Sequence, residues 1–177
     1  MNNELSDAQL VLRERAQGLA RNAENPPDVE SLVEVLEFRL AQECYAIETS
    51  YVEEVHPLRD LTPLPCTPSF VVGIVNVRGR ILPVLDLKKF FDLPEKGLTD
   101  LHRIILIRGN DLEFGLLADV IVGVCAISID KLQPSLLTLT GIRSDYLRGV
   151  TAERLVILDV ARILADPRLI VHDEAGG

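Results

Sequence analysis

The sequence predicts a mainly β protein built as two small barrels side by side, with a helical extension at its start and a short helix near its end. Three observations carry this. Short apolar runs recur with turn residues at intervals of about 8–12 residues, the spacing of sandwiches and barrels. The 177 residues are 47% apolar yet include only three Tyr, five Phe and no Trp, so the core has to be built from Val, Ile and Leu, residues that suit strands. The runs fall into two clusters separated by the polar stretch Glu95 to Leu101, which contains Gly97.

Ser6 and Gln9 have the form of a capping box. Behind them Leu5, Ala8, Leu12, Ala16 and Leu19 recur at spacings of three and four, predicting a helix from about Ser6 to Arg21 that ends before Asn25-Pro26-Pro27. Its apolar stripe fits either a partner or the chain's own domain. Leu32 to Leu40 and Cys44 to Ile47 then read as a hairpin turning at Ala41-Gln42-Glu43, and Thr49 to Val55 as a short helical turn. Pro57, Pro63, Pro65 and Pro68 impose an extended path. A hairpin turns at Arg78-Gly79-Arg80, and Asp86 to Phe91 is a brief helix stopped by Pro94.

Arg103 to Arg108 encloses the apolar run Ile104 to Ile107, Gly109-Asn110-Asp111 turns, Leu112 to Ala118 returns, and Asp119 to Ile127 is a further strand. Gly115 inside a strand marks a bulge or a close backbone approach. Ser128 to Leu132 is a turn, Gly141 to Val150 and Leu155 to Leu158 are strands, and Asp159 caps a helix through Leu164. The expected organisation is a helical extension over 1–30, a first barrel over about 31–97, a second over about 98–165 and a flexible tail over 166–177.

A formal charge of −9 and a pI near 4.8 argue against nucleic-acid binding, which draws on Lys and Arg, and against adsorption through a polybasic face. The chain does not open on a signal peptide, and its apolar stretches fall short of a spanning helix, so a cytoplasmic protein is expected. Cys44, Cys66 and Cys125 lack paired spacing and read as three buried thiols with neither a disulfide framework nor a metal site. His56 and His102 read as surface or loop residues, and the three His stand apart without a metal-ligand or catalytic signature. Glu53 and Glu54 are adjacent, which points them to different faces and argues against an acid/base pair.

The segment Thr67 to Leu87 is the most informative. Ile74, Val75 and Val77 lead into Arg78-Gly79-Arg80, and Ile81, Leu82, Val84 and Leu85 leave it. Arg78, Arg80, Lys88 and Lys89 fall within twelve residues and are opposed there only by Asp86. Such a hairpin displays cations rigidly, and Arg makes bidentate contacts to carboxylates, so a partly acidic partner surface is expected. Val52, Val55 and the Pro-rich segment offer a neighbouring apolar patch.

Pro68, Phe70, Gly73, Asn76, Arg78, Gly79, Pro83, Val84, Asp86 and Leu87, in this spacing, resemble the CheW family of chemotaxis adaptors. Gly115-Leu116-Leu117-Ala118-Asp119 and Leu155-Val156-Ile157-Leu158-Asp159 extend the likeness, which runs from about Val33 to Leu164. The resemblance implies a pair of intertwined SH3-like five-stranded barrels without catalytic activity or cofactor. It implies two partners: the signalling tip of a chemoreceptor, held in a groove between the barrels, and the regulatory domain of a CheA-type histidine kinase, met through the first barrel.

On the same resemblance the receptor-contacting arginine is Arg78, with Asn76 and Gly79 beside it, and Val52, Glu54 and Val55 form the receptor-face element. Val55 and Val77 stand where the family has Ile and Leu. The protein would be recruited to receptor arrays at the inner face of the membrane, meeting the membrane only through receptors. The extension before Ser31, which the minimal family lacks, leaves open an adaptor of a non-flagellar, pilus-type array. Two other classes remain distinguishable. A hydrolase needs a His, an acid and a nucleophile within hydrogen-bond reach; a ligand-binding barrel needs a closed apolar cavity of several hundred Å³.

Overall fold

The structure, a computed structural model, describes residues 32–95, 97, 101–134 and 142–169. The helix expected over Ser6 to Arg21 and the tail from His172 lie outside them. From Val33 on, the described residues belong to one compact unit.

β1 (Leu32–Leu40) and β2 (Glu43–Glu48) pair as the expected hairpin, in register Leu40 with Glu43. A 3-10 turn over Thr49–Tyr51 leads into β3 (Val52–Pro57). The helical turn expected as far as Val55 therefore stops at Tyr51: Val52 to Pro57 find partners along Arg103 to Ile107, and those ladder bonds override local preference. β4 (Val71–Val77) and β5 (Arg80–Leu85) form the arginine hairpin, and α1 (Leu87–Phe90) follows, capped by the Asp86 side chain on the Lys88 N–H at 2.9 Å.

β6 (Arg103–Gly109), β7 (Leu112–Ala118) and β8 (Val120–Ser128) come next, then a 3-10 turn at Ile129–Lys131. α2 (Ile142–Asp145) precedes β9 (Leu147–Val150), so the strand expected from Gly141 begins late. The reason is its partner: β10 (Val156–Leu158) is three residues long and offers no ladder further back. α3 (Val160–Leu164) closes the series, with Asp159 accepting from the Arg162 N–H at 3.1 Å, as its spacing predicts. Gly115 is a close approach and not a bulge. The β6–β7 register runs unbroken through it, and a Cβ there would sit 2.4 Å from Ile104 Cγ2.

The strands make two five-stranded sheets, ordered β8-β1-β2-β10-β9 and β3-β6-β7-β5-β4. Each draws on both sides of residue 97, so the expected division into sequential barrels at 97/98 does not match the sheets. Two parallel pairings cross it: β2 with β10 (Tyr45 with Val156) and β5 with β7 (Val84 with Gly115). The interleaving implied by the family resemblance is what the topology has.

Three apolar clusters follow from this. The largest, with Phe38, Tyr45, Ile47, Ile105, Ile107 and Leu116, takes residues from both sheets and joins them. Val75, Val77, Leu82, Val84, Ile104, Leu106 and Leu117 fill the other face of the second sheet, and Val35, Ala46, Leu155 and Ile157 the other face of the first. Alternation along the central strands thus buries both faces, whereas β3 and β8 at the sheet edges alternate between half-buried and exposed residues.

The tail expected to be flexible from 166 is packed as far as Leu169. Asp166 is buried against the Tyr146 hydroxyl, and the Arg168 guanidinium lies 4.4 Å over the Phe90 ring. The thiols also depart from expectation. All three are free, but Cys66 is exposed on the Pro-rich loop and Cys44 and Cys125 are half-buried.

Candidate functional site

The β4–β5 hairpin turns through two residues, Arg78 (φ 53°) and Gly79 (φ 85°), between the pair Val77 and Arg80. Two consecutive positive φ values are the requirement of a type I′ turn, whose twist matches the flanking strands. Arg78 takes a conformation that Asn or Gly would adopt at less cost. Asn76 supports the turn from outside it, its Oδ1 accepting the Gly79 N–H at 2.8 Å. The Arg78 side chain is 74% exposed, with one guanidinium nitrogen 3.0 Å from Glu54 Oε2.

That contact reports on the shape of the sheet. β3 and β4 are the two edge strands of the second sheet, yet the end of β4 touches β3 through Arg78 and Glu54. The sheet must curl to bring its edges together, as barrel closure demands. A second link, the Thr62–Ile74 bridge, ties the loop after β3 to β4.

Glu54 is shared. Its Oε1 lies 2.9 Å from His56 Nε2 while Oε2 faces Arg78. His56, then Arg78 and Arg80, hold its carboxyl below the usual range against the opposing effect of burial. Beside it Arg80 contacts Glu53 at 3.0 Å and Glu113 at 2.9 Å, which raises its pKa, and Arg108 reaches Glu113 at 2.5 Å. Three arginines thus face three glutamates.

The display of uncompensated cations expected from the sequence is corrected by these pairings. The carboxylates come from β3 and β7, distant in sequence, and nothing local to the hairpin announces them. Lys88 is corrected too: it is 3% exposed, 2.5 Å from Asp119 Oδ1, with His102 Nε2 3.0 Å from the same oxygen. His102 is accordingly buried, where a surface position was expected. Asp119 Oδ2 accepts the Ala41 N–H at 2.7 Å, and its own N–H donates to Arg39 O. Burial raises the Asp119 pKa, but Lys88, the Ala41 N–H and His102 outweigh it and leave the carboxyl below its usual value. This node ties the β1–β2 turn of the first sheet to α1 and to His102, the residue before β6.

The six residues singled out from the sequence divide between two faces. Directly opposed residues of an antiparallel pair share a face. Val52 and Val55 stand opposite Ile107 and Ile105, whose side chains belong to the core shared by both sheets. Glu54 stands opposite Leu106, on the other face, where Arg78 meets it. Val52 packs against the shared core and Val55 is 38% exposed. Arg78, Glu54, Asn76 and Gly79 form one group, and the two valines another.

The described histidines are engaged by carboxylates, His56 by Glu54 and His102 by Asp119. The interiors of both sheets are filled by the clusters described above. A groove of about 750 Å³ lies elsewhere, lined by Glu43, Cys44, Gln133, Thr151 and Arg154 among others. It is mixed in character and is not the closed apolar cavity of a ligand-binding barrel. Among the described residues, no helix is long and apolar enough to cross a membrane.

Comparison with known proteins gives a consistent result. The CheW-like domain matches residues 34–168. The chemotaxis protein CheW of Treponema pallidum is 31% identical over 143 residues, 77% of this chain and 84% of that protein. The crystal structure of the scaffolding protein TtCheW from Thermoanaerobacter tengcongensis superposes with a TM-score of 0.64 at 32% identity, covering 71% of this chain and 88% of that one. At greater distance, protein PilI of Pseudomonas aeruginosa is 28% identical over 64% of each chain.

Proposed function

Because the chain belongs to the CheW-like domain family, we propose that it is a non-catalytic adaptor coupling chemoreceptors to a CheA-type histidine kinase. The observation that carries this is the likeness in both sequence and fold to a CheW scaffold across most of the chain. It acts at the cytoplasmic side of the membrane, recruited there through receptors.

Arg78 is the leading receptor contact, and its exposure at the tip of a stiff turn supports the role. Asn76 and Gly79 hold it in place, and Glu54 orients the guanidinium while leaving most of it open. Val55, with Val52 behind it, supplies apolar contact on the face toward the other sheet. The receptor tip lies in the groove between the barrels, and the kinase regulatory domain meets the barrel that begins at β1. Coupling then follows from the core shared by both sheets, because one joined unit holds both partners in a fixed relation.

The balanced charges around Arg78 change the expected chemistry of the partner. A receptor surface suited to this site offers one carboxylate or a few carbonyl oxygens to Arg78, beside an apolar strip for Val55, in place of a broad acidic patch. The test is receptor pull-down with the Arg78→Ala variant. Capture of the receptor signalling fragment falls at least about tenfold while kinase binding persists; undiminished capture by the folded variant removes Arg78 from the interface.

A second reading, an adaptor of a pilus-type array, is favoured by the likeness to PilI. Preference between receptor fragments of the two kinds of array, measured side by side, separates them.

A further inference from the structure

The apolar residues that leave the arginine hairpin do not all reach the core. Leu82 and Val84 turn into the cluster that fills the second sheet, Leu85 turns to the shared core, and Ile81 belongs to neither. Ile81 is 66% exposed, although its neighbour Leu82 is buried. Alternation along β5 sets Ile81 and Pro83 on the face of Leu85, away from Arg80, Leu82 and Val84. Opposite them across the hairpin stand Asn76 and Ile74, the first exposed and the second half-buried.

A single exposed aliphatic residue is ordinary on a protein surface, but Ile81 does not stand alone. Val55 lies on the same face of the sheet, opposite Ile105. The Arg78–Glu54 contact and the Thr62–Ile74 bridge bring β3 to β4, so β3, β4 and β5 follow one another round the curled sheet. Val55, Ile74 and Ile81 thus lie one to a strand across this face, with Pro83 beside them. None of the three belongs to the apolar clusters of the described residues. Three positions before Ile81, at the tip of the same hairpin, the Arg78 side chain is open to solvent. The Asn76–Gly79 bond stiffens the turn that carries both.

Resting on the adaptor reading above, we infer that Ile81 is a receptor contact. It binds a large aliphatic side chain that the receptor segment carries next to the carboxylate gripped by Arg78. Arg78 supplies a directional, charge-assisted contact, and Ile81 supplies the apolar area that Arg78 lacks. Charge complementarity selects this occupant. Arg80, on the other face of β5, is taken up by Glu53 and Glu113, whereas Arg78 meets Glu54 with one nitrogen and stays mostly open. The occupant therefore brings an acid beside its apolar side chain. A second copy of this chain does not fit, because a twofold contact through the hairpin tip sets Arg78 against Arg78. Ile81 then reads the residue beside the receptor's acid, holding an aliphatic side chain there and rejecting a polar one.

Affinity of the full chain for a receptor signalling fragment tests this with two variants of nearly equal shape, Ile81→Val and Ile81→Thr. Both keep the β-branch that suits a strand. Loss of one buried methylene weakens binding about fourfold in Ile81→Val. The hydroxyl of Ile81→Thr, set against an aliphatic side chain, weakens it at least about fivefold further. Circular dichroism and kinase binding stay unchanged in both. Added salt weakens the unmodified chain and the Ile81 variants in parallel, whereas Arg78→Ala flattens that dependence. Equal affinities of the Val and Thr variants, or a loss that falls on the kinase regulatory domain instead, overturn the inference. Arg78→Ala run alongside keeps the two readings apart. Undiminished capture by that variant removes the receptor contact of the adaptor reading, whereas capture lost with Arg78→Ala but equal for the two Ile81 variants removes Ile81 alone. Methyl NMR of the unmodified chain decides the matter even if a variant folds poorly: the Ile81 Cδ1 methyl signal must shift as receptor fragment is added, and a signal that stays in place contradicts the proposal.

Discussion

Arg78 sits in a left-handed conformation with its charge in solvent and a single carboxylate beside it. An exposed ion pair of this kind adds little to stability because solvent screens it, so its removal barely alters the fold, and Arg78→Gly offsets the loss by relaxing the turn. A charge swap distinguishes the two roles available to Arg78. If it serves only to latch Glu54, Arg78→Glu combined with Glu54→Arg restores wild-type behaviour. If it grips a receptor, the swapped protein folds normally and still fails in pull-down, and that failure is the expected outcome.

Asp119 behaves differently because its partner Lys88 is 3% exposed. Asp119→Ala strands a buried ammonium and is expected to cost about 3–5 kcal/mol, measured as a lower urea midpoint. A loss below about 1 kcal/mol would mean that Lys88 escapes to water.

At the scale of elements, the β1–β2 and β4–β5 hairpins and the caps at Asp86 and Asp159 could be read in advance because their information is local. A turn, a period and a capping side chain lie within a few residues of one another. Val52 to Pro57 was not readable in that way, since its conformation is decided by pairing with residues 103–107, across about fifty intervening positions. The same reason hid Glu113 and Arg108 from any reading of the arginine hairpin.

Gly115 shows the middle case: sequence pattern left a bulge or a close approach open, and the neighbour Ile104 decided it. Gly115→Ala forces a methyl group into the space of Ile104 Cγ2 and is expected to destabilise by about 1–3 kcal/mol, with the denaturant slope unchanged. A neutral result would mean that β6 moves aside freely.

For the whole molecule, the shared core is the reason two sheets act as one unit, and the interleaved order explains why sequence clusters misled. Strands that are neighbours along the chain read as one barrel, whereas β2 and β10 meet only after the chain has passed through the second sheet, and β5 and β7 only after β6 has been laid on the far side of β7. Acid stability is also a property of the whole. Asp166 is lowered from 3.8 to about 2, chiefly by Arg168, and Glu54 and Asp119 are lowered as well. Depressed carboxylates stabilise above their unfolded pKa and lose that contribution as pH falls through the folded value.

Asp86, raised by burial, acts in the opposite direction. Three groups against one predict a melting temperature that drops on acidification below about pH 4, and Asp166→Asn flattens that drop.

The proposed function has this chain join two proteins without transforming either. Size-exclusion chromatography of the chain mixed with a receptor signalling fragment and a CheA-type regulatory domain tests it most directly. Co-elution of all three in one peak, with the receptor fragment alone released by Arg78→Ala, is the predicted result; a folded chain that elutes apart from both partners contradicts the account.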